Sequence, residues 1–329
     1  MGDLPSLSTS SGFAADPDTR EVLDVFRDQI NVLVSNSLSE NTKQVYNQAL
    51  VTFKRFLREY DLSENWPPAL SQIVQFVAYL SKFKNCSYST INSYLSGISF
   101  FLKINNLRDP TRAFIIQKML CGLRRLRPSK DTRMPITITV LKQIQSALSS
   151  VASSHFEAVL FSTMYIITCF GFLRVSEIAV ERKNGDNNKV VQFSNAKLTG
   201  SQCELIIPSS KTDQYANSVS LIFTPSNDSS ICPVRAVKRY LQLRPLVGGP
   251  LFCHFSGEPV SKYQFRAMLA KCLTFLGIKS NIKSHSFRIG AATYASMLNI
   301  NDEEIKRLGR WSNKGETHKR YIRLNAIIP

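Results

Sequence analysis

Between Val22 and Leu33, apolar side chains recur every three or four positions, at Val22, Val25, Phe26, Ile30 and Leu33. That is the spacing of one face of an α-helix. The period returns four more times before residue 127. Val45, Ala49, Phe53, Phe56 and Leu57 follow Ser39-Glu40-Asn41, where Ser39 or Asn41 can cap a helix. Ile73, Phe76, Val77 and Leu80 follow the break at Trp66-Pro67-Pro68. Ile91, Tyr94, Leu95, Ile98, Phe101 and Leu102 follow Ser87-Tyr88-Ser89-Thr90, and Ile115, Met119 and Leu123 follow Asp109-Pro110 and run into Arg124-Arg125-Leu126-Arg127. Residues 20–127 therefore predict an all-helical domain whose last helix is basic. Residues 1–19, rich in Ser, Gly, Asp and Pro, lack such periodicity and predict a disordered arm. Residues 128–135 are bounded by two prolines and read as an interdomain linker, with a second domain over 136–329.

The second half is mixed. Leu141, Ile144 and Leu148 fit a helix, and the apolar stretch ending at Arg174 fits another. Val190–Phe193, Cys203–Ile207 and Ser218–Phe223 are short β-prone runs separated by polar turns, as in a small antiparallel sheet. Helical spacing resumes over Pro233–Leu243, Lys262–Leu276, Ser286–Leu298 and Asp302–Leu308, with Gly309 placed to stop the last of these. The predicted class is mainly α with a small antiparallel β-sheet: an all-helical domain, then an α+β domain.

Composition narrows the partners. The 329 residues are 43% hydrophobic and 20% charged, ordinary for a soluble chain, but the formal net charge is +17. The basic residues gather in Arg108–Arg133 and Lys279–Arg323. Such a surplus favours a polyanion, bound by neutralising phosphates and releasing counterions. The seven cysteines are scattered, odd in number and without a Cys-x-x-Cys pair, which predicts free thiols in a reducing compartment. No signal peptide opens the chain and no apolar run reaches the length of a membrane span, so an intracellular protein with no membrane partner is expected.

Six residues carry the chemistry, in the order Arg174, Lys211, His285, Arg288, Trp311 and Tyr321. Singly, each has a plain reading. Arg174 can pair with Glu177, Lys211 sits in a polar turn, His285 and Arg288 form only a two-residue pattern, and Trp311 and Tyr321 can be packing residues. Together, two guanidiniums, an ammonium, an imidazole, an indole and a phenol can hold a phosphodiester, neutralise its growing charge and attack it. No nucleotide-binding Gly-x-x-x-x-Gly-Lys-Ser/Thr loop and no paired-carboxylate motif accompanies them. The set points to DNA strand cleavage through a covalent phosphotyrosine.

The order, spacing and setting of these residues resemble the tyrosine recombinases, the integrase-type family of DNA-rearranging enzymes, over nearly the whole chain. Ser39–Leu57 resembles the first helices of the family's core-binding domain, Ser89–Ile98 its later helix, and Gly122-Leu123-Arg124-Arg125 the run before its linker. Ser210-Lys211-Thr212-Asp213-Gln214 and Arg320-Tyr321-Ile322-Arg323 are most similar to enzymes of eukaryotic DIRS-like and Crypton mobile elements.

The resemblance implies a helical core-binding domain, a tyrosine-recombinase catalytic domain and a role for each residue. Tyr321 attacks the scissile phosphate to give a 3′-phosphotyrosyl link and a free 5′-hydroxyl. Arg174 and Arg288 grip the non-bridging oxygens, His285 bonds the phosphate or relays the phenolic proton, and Lys211 protonates the leaving 5′-oxygen. Trp311 donates its indole N–H; the segment from Leu308 to Tyr321 is longer than in relatives with a Gly-Arg-Trp motif, so Arg310 competes with Trp311 for that place. Glu177 is an orienting partner of Arg174. No cofactor and no metal is implied. The implied partners are double-stranded DNA with specific target sites and three further copies, a homo-tetramer on two synapsed sites exchanging strands through a Holliday junction. Arg124, Arg125, Arg127 and Lys130 would bind DNA, and the eukaryotic resemblance implies the nucleus. Two other readings stand beside this one: a catalytically silent DNA-binding protein derived from such an enzyme, and a type IB topoisomerase-like relaxation of DNA.

Overall fold

The computed structural model describes residues 17–128, 130–182, 185, 187–208, 218–312 and 315–326. The chain divides into two compact units, Met1–Asp131 and Thr132–Pro329.

The first unit holds helices α1 (Pro17–Asn36), α2 (Glu40–Glu59), α3 (Leu70–Lys82), α4 (Tyr88–Ile104) and α5 (Phe114–Leu126), with a 3-10 turn at Pro110–Arg112. Their starts follow the side-chain chemistry that caps helices. Ser39, of the two candidates, accepts the amide of Thr42; Ser87 accepts that of Thr90, and Asp109 that of Thr111. The periodic residues of α2 to α5 meet in one core that includes Phe53, Phe56, Phe76, Ile98 and Leu123. Burying each such side chain stabilises the unit by roughly 1.5–3 kcal/mol. The helices α2 and α4 approach closely at Gly97, where a methyl group would meet the Tyr46 backbone at 3.0 Å. Helix α1 begins inside the stretch read as a disordered arm, and its apolar stripe of Val25, Phe26 and Leu33 stays exposed instead of joining this core.

The second unit is built around α7 (His155–Phe170), which is buried along most of its length and packs against α6 (Ile138–Val151). After the short helix α8 (Val175–Ile178) comes a three-stranded antiparallel sheet in the order β1 (Ala196–Thr199), β2 (Gln202–Ile207), β3 (Val219–Phe223). Leu198 pairs with Cys203, and Leu205 with Leu221. The first expected strand is corrected here: Val190–Phe193 is not β1. Val190 and Val191 are buried in succession, not alternately, and their segment makes only a bridge between Gln192 and Pro250. The true β1 is largely exposed, which leaves it no alternating apolar signal.

Helices α9 (Pro233–Leu243), α10 (Lys262–Phe275), α11 (His285–Met297) and α12 (Asp302–Gly309) follow, then a 3-10 turn at Thr317–Tyr321. The segment 132–135, read as the end of the linker, is bonded into this unit together with Ile136. Met134 donates to Asn281, Ile136 donates to Ser286, and the Asn281 amide donates to Thr132 Oγ1. Ile136 lies so close to α11 that a methyl group on Gly290 would be 2.0 Å from its carbonyl oxygen. Among the described residues no helix is long and apolar enough to cross a membrane.

Candidate active site

The site begins where α7 stops. Gly171 closes the helix, and Phe172 takes a left-handed backbone (φ 49°), a conformation that disfavours any residue with a Cβ. That reversal turns the carbonyls of Gly171 and Phe172 toward two arginines from distant parts of the chain. Arg310 donates to both, at 3.1 and 3.2 Å, and Arg288 donates to the Phe172 oxygen. Two residues on, Arg174 starts α8, and the third residue of that helix, Glu177, reaches back to accept its amide at 2.8 Å.

Glu177 is buried, and its carboxylate joins two cations. It accepts from the Arg174 guanidinium at 3.1 Å and from the Arg310 guanidinium at 2.9 Å. The plain reading of Arg174 as a partner of Glu177 holds. Arg310 was named only as a competitor of Trp311. Here its guanidinium faces Glu177 and the carbonyls of Gly171 and Phe172, while the adjacent indole of Trp311 faces the tyrosine.

Arg288 lies on α11 and is, among the described residues, the largest fully buried side chain. Its guanidinium donates to Phe172 and Gly309 carbonyls and lies over the Trp311 ring, 4.3 Å from its centre, and 5.7 Å from that of Tyr321. Burial, reinforced by the neighbouring cations Arg174 and Arg310, pushes its pKa down to about 9, against the pull of Glu177 and Tyr321. It remains a cation at neutral pH. Burial also lowers the pKa of Arg310. Three guanidiniums thus stand close together, two of them on the Glu177 carboxylate, where burial weakens screening by water. Such a pocket favours an entering anion.

The two rings complete the cluster. Trp311 and Tyr321 stand 5.0 Å apart, centre to centre, and Phe172 meets Trp311 edge-on at 6.2 Å. Gly309 makes room for this. A methyl group there would lie 1.8 Å from Cζ3 of Trp311. The expected stop at Gly309 is therefore corrected: the left-handed residue that ends α12 is Arg310 (φ 53°), and Gly309 is needed for the space it leaves. Tyr321 is held through its backbone, since Thr293 Oγ1 of α11 donates to the Tyr321 carbonyl at 3.3 Å and accepts the Arg323 amide at 3.0 Å.

The structure thus brings together Arg174, Arg288, Trp311 and Tyr321 and adds Glu177, Arg310 and Thr293. His285 is exposed at the first turn of α11, three residues before Arg288 and so on the same face of the helix. Lys211 belongs to the connection between β2 and β3 and lies outside the described residues. In the first unit, Arg124 and Arg125 are exposed, with Arg124 over the Tyr88 ring at 5.9 Å. Arg127 donates to Ser81 O and Asn85 Oδ1, and Lys130 is exposed. His318 and Thr293 were not foreseen; a lone histidine in a polar run and a threonine inside a helix carry no signal in sequence.

Comparison with known proteins gives the site a context. Residues 226–326 match the phage integrase family, and residues 23–105 match the phage integrase N-terminal SAM-like domain. Among solved structures, the chain resembles the XerH site-specific recombinase bound to its palindromic difH substrate in a post-cleavage complex. The TM-score is 0.61 at 13% identity, over 85% of this chain and 76% of that one. It also resembles a lambda integrase dimer bound to a COC′ core site, with TM-score 0.57 and 14% identity over 94% and 81% of the two chains. A third is the Tn1549 transposon integrase with circular intermediate DNA, at TM-score 0.53 and 16% identity over 87% and 90%. These likenesses show a tyrosine-recombinase fold, a SAM-like helical domain followed by a catalytic domain. No curated protein sequence matches the chain.

Proposed function

The chain belongs to the phage integrase family of tyrosine recombinases, and from that premise we propose that it cuts and rejoins duplex DNA through Tyr321. The observation that carries this reading is the burial of Arg288 against both Trp311 and Tyr321, with Arg174 joined to the same cluster through Glu177. A phosphodiester set among Arg174, Arg288 and Tyr321 meets guanidiniums that are already in place. Its non-bridging oxygens accept from the guanidiniums, and those bonds strengthen as the pentacoordinate transition state gains charge. Glu177 and the carbonyls of Gly171, Phe172 and Gly309 fix the cations beforehand, so little reorganisation is needed during the reaction.

The phenolic oxygen of Tyr321 attacks phosphorus and the bond to the 5′-oxygen breaks. The enzyme is left joined to the 3′-phosphate, and the phenolic proton passes to the phosphate or to His285. Lys211 supplies the proton to the leaving 5′-oxygen, and Trp311 donates its indole N–H to the phosphate. Because the phosphotyrosine conserves the bond, the 5′-hydroxyl of a partner strand can reverse the step and seal a recombined backbone. Four protomers on two synapsed sites exchange strands in pairs through a Holliday junction. The family's solved complexes with DNA substrates support duplex DNA as the partner. Arg124, Arg125 and Lys130 supply phosphate contacts, and the nucleus is the compartment we propose.

The test is a suicide duplex, nicked beside the cleavage position in a site selected from a random pool by the protein itself. A covalent protein–DNA adduct with wild type but not with Tyr321→Phe is expected, and it should survive a chelator. Specific binding without an adduct would overturn the proposal in favour of a silent DNA-binding protein. Relaxation of plasmids lacking the selected site would favour the topoisomerase-like reading.

A further inference from the structure

We infer that His318 is a positioning residue for Tyr321, bracing the nucleophile's segment against the first turn of α12 through Asp302. The inference rests on the proposed role of Tyr321. His318 sits three residues before it on the same 3-10 turn and is 1% exposed. Its ring centre is 6.5 Å from that of Trp311, and its Nε2 is 3.2 Å from Oδ2 of Asp302, too far off line for a good hydrogen bond. Among the described residues neither ring nitrogen has a hydrogen-bond partner.

A buried imidazole left in that state is a costly way to fill space, and an apolar side chain would fill it without the cost. What the imidazole adds is a ring nitrogen facing a carboxylate. The other charges facing this turn are Glu316, which binds Lys319 at 2.6 Å and also feels the imidazole and Lys306, and Lys319, which feels Asp302. Asp302 is therefore the carboxylate in direct contact with the ring.

The placement gives the contact its consequence. Thr293 of α11 holds the backbone at and after Tyr321. His318 holds the backbone before it, and α12 carries Trp311 just past its far end. Tyr321 is thus suspended between two helices, one tie on each side. Releasing the α12 tie leaves the cationic pocket intact while letting the phenol drift from its line of attack.

The test separates binding from chemistry. Asp302→Ala removes the carboxylate from an exposed helix start, where loss of folding is not at issue. Glu303→Ala removes the same charge from the same helix end without touching His318, and serves as the control. His318→Phe keeps a ring beside Trp311 but no ring nitrogen. On the suicide duplex we expect Asp302→Ala and His318→Phe to slow adduct formation on the order of 10- to 100-fold, the scale of a misplaced reacting group, with DNA affinity unchanged. The double variant should be no slower than the slower single, because one contact is lost in each. Asp302→Ala reacting as fast as Glu303→Ala, or the two effects multiplying in the double variant, would overturn the inference. If wild type forms no adduct, the function proposed above fails instead. Hydrogen exchange at amides 317–323 then decides: faster in Asp302→Ala than in Glu303→Ala upholds the brace, and equal rates overturn it.

Discussion

Glu177 and Arg310 are 133 positions apart in sequence, yet their buried side chains meet at 2.9 Å. The same carboxylate holds Arg174. One acidic residue therefore ties the start of α8 to the segment that leads into the tyrosine, beside the third guanidinium, Arg288.

Glu177→Gln should cost about 3–5 kcal/mol, the range for removing one partner from a buried ion pair. Arg174 and Arg310 then face each other across a neutral amide instead of a carboxylate. Added sulfate or phosphate should recover part of the loss by standing in for the carboxylate. Thermal unfolding with and without the anion is the measurement; an unchanged midpoint would show that the pair contributes nothing.

Arg310→Gly sets two effects against each other. Glycine relieves a left-handed backbone worth about 1–2 kcal/mol. It also leaves Glu177 short of a partner, at about 3–5 kcal/mol. The second effect is larger, so the variant should be less stable than wild type despite its relaxed backbone.

Gly309→Ala should displace the indole, because the new methyl group would lie within 2.0 Å of two Trp311 ring carbons. Overpacking of this kind costs about 1–3 kcal/mol. The chain has two tryptophans, so in a Trp66→Phe background the fluorescence reports Trp311 alone. A shift of that emission toward the exposed form is expected.

The basic end of α5 should divide by function. Arg124→Ala and Arg125→Ala should leave the melting curve alone while each lowers the salt dependence of DNA binding by about one ion. Arg127→Ala should also lower stability, by about 0.5–1.5 kcal/mol, since it loses its bonds to Ser81 and Asn85.

The thiols give a pH test. Cys121 is exposed and Cys86 half-buried, so a thiol reagent at pH 8 should label these two in the native state. Cys169, Cys203, Cys232, Cys253 and Cys272 are buried and should react only after unfolding. Burial pushes Cys169 up to about 12, and Cys203 and Cys272 up to about 11. The unfolded chain therefore loses these protons first. Their contribution to stability is complete below the ordinary thiol range and should decline as pH rises from about 8.5 toward 12.

Helical periodicity made most of the fold legible. Phe53, Phe56 and Ile98 lie in the core as their spacing predicts, although the same spacing in α1 leaves Val25 and Phe26 exposed, and Ser39 and Ser87 cap where hydroxyls precede apolar runs. The sheet was less legible, because Val190 and Val191 are buried by tertiary contact and imitate a strand, while Ala196–Thr199 is a strand with little to bury. At the site, Arg174, Arg288, Trp311 and Tyr321 were readable because their chemistry is specific as a set. The supporting parts were not. Gly309 acts through an absent side chain, Thr293 through its hydroxyl on another element, and His318 through a contact that only the folded chain creates.

The seating of Ile136 on Gly290 has a mechanical consequence. The chain arrives in its second unit pressed against the helix that bears Arg288, two positions from that guanidinium. Thr132 and Met134 are bonded to Asn281 in the loop before that helix, so the entering chain is fastened at two successive places. Any side chain at Gly290 would wedge the entering backbone off this helix, so the seam between them closes only where a hydrogen stands in for a side chain.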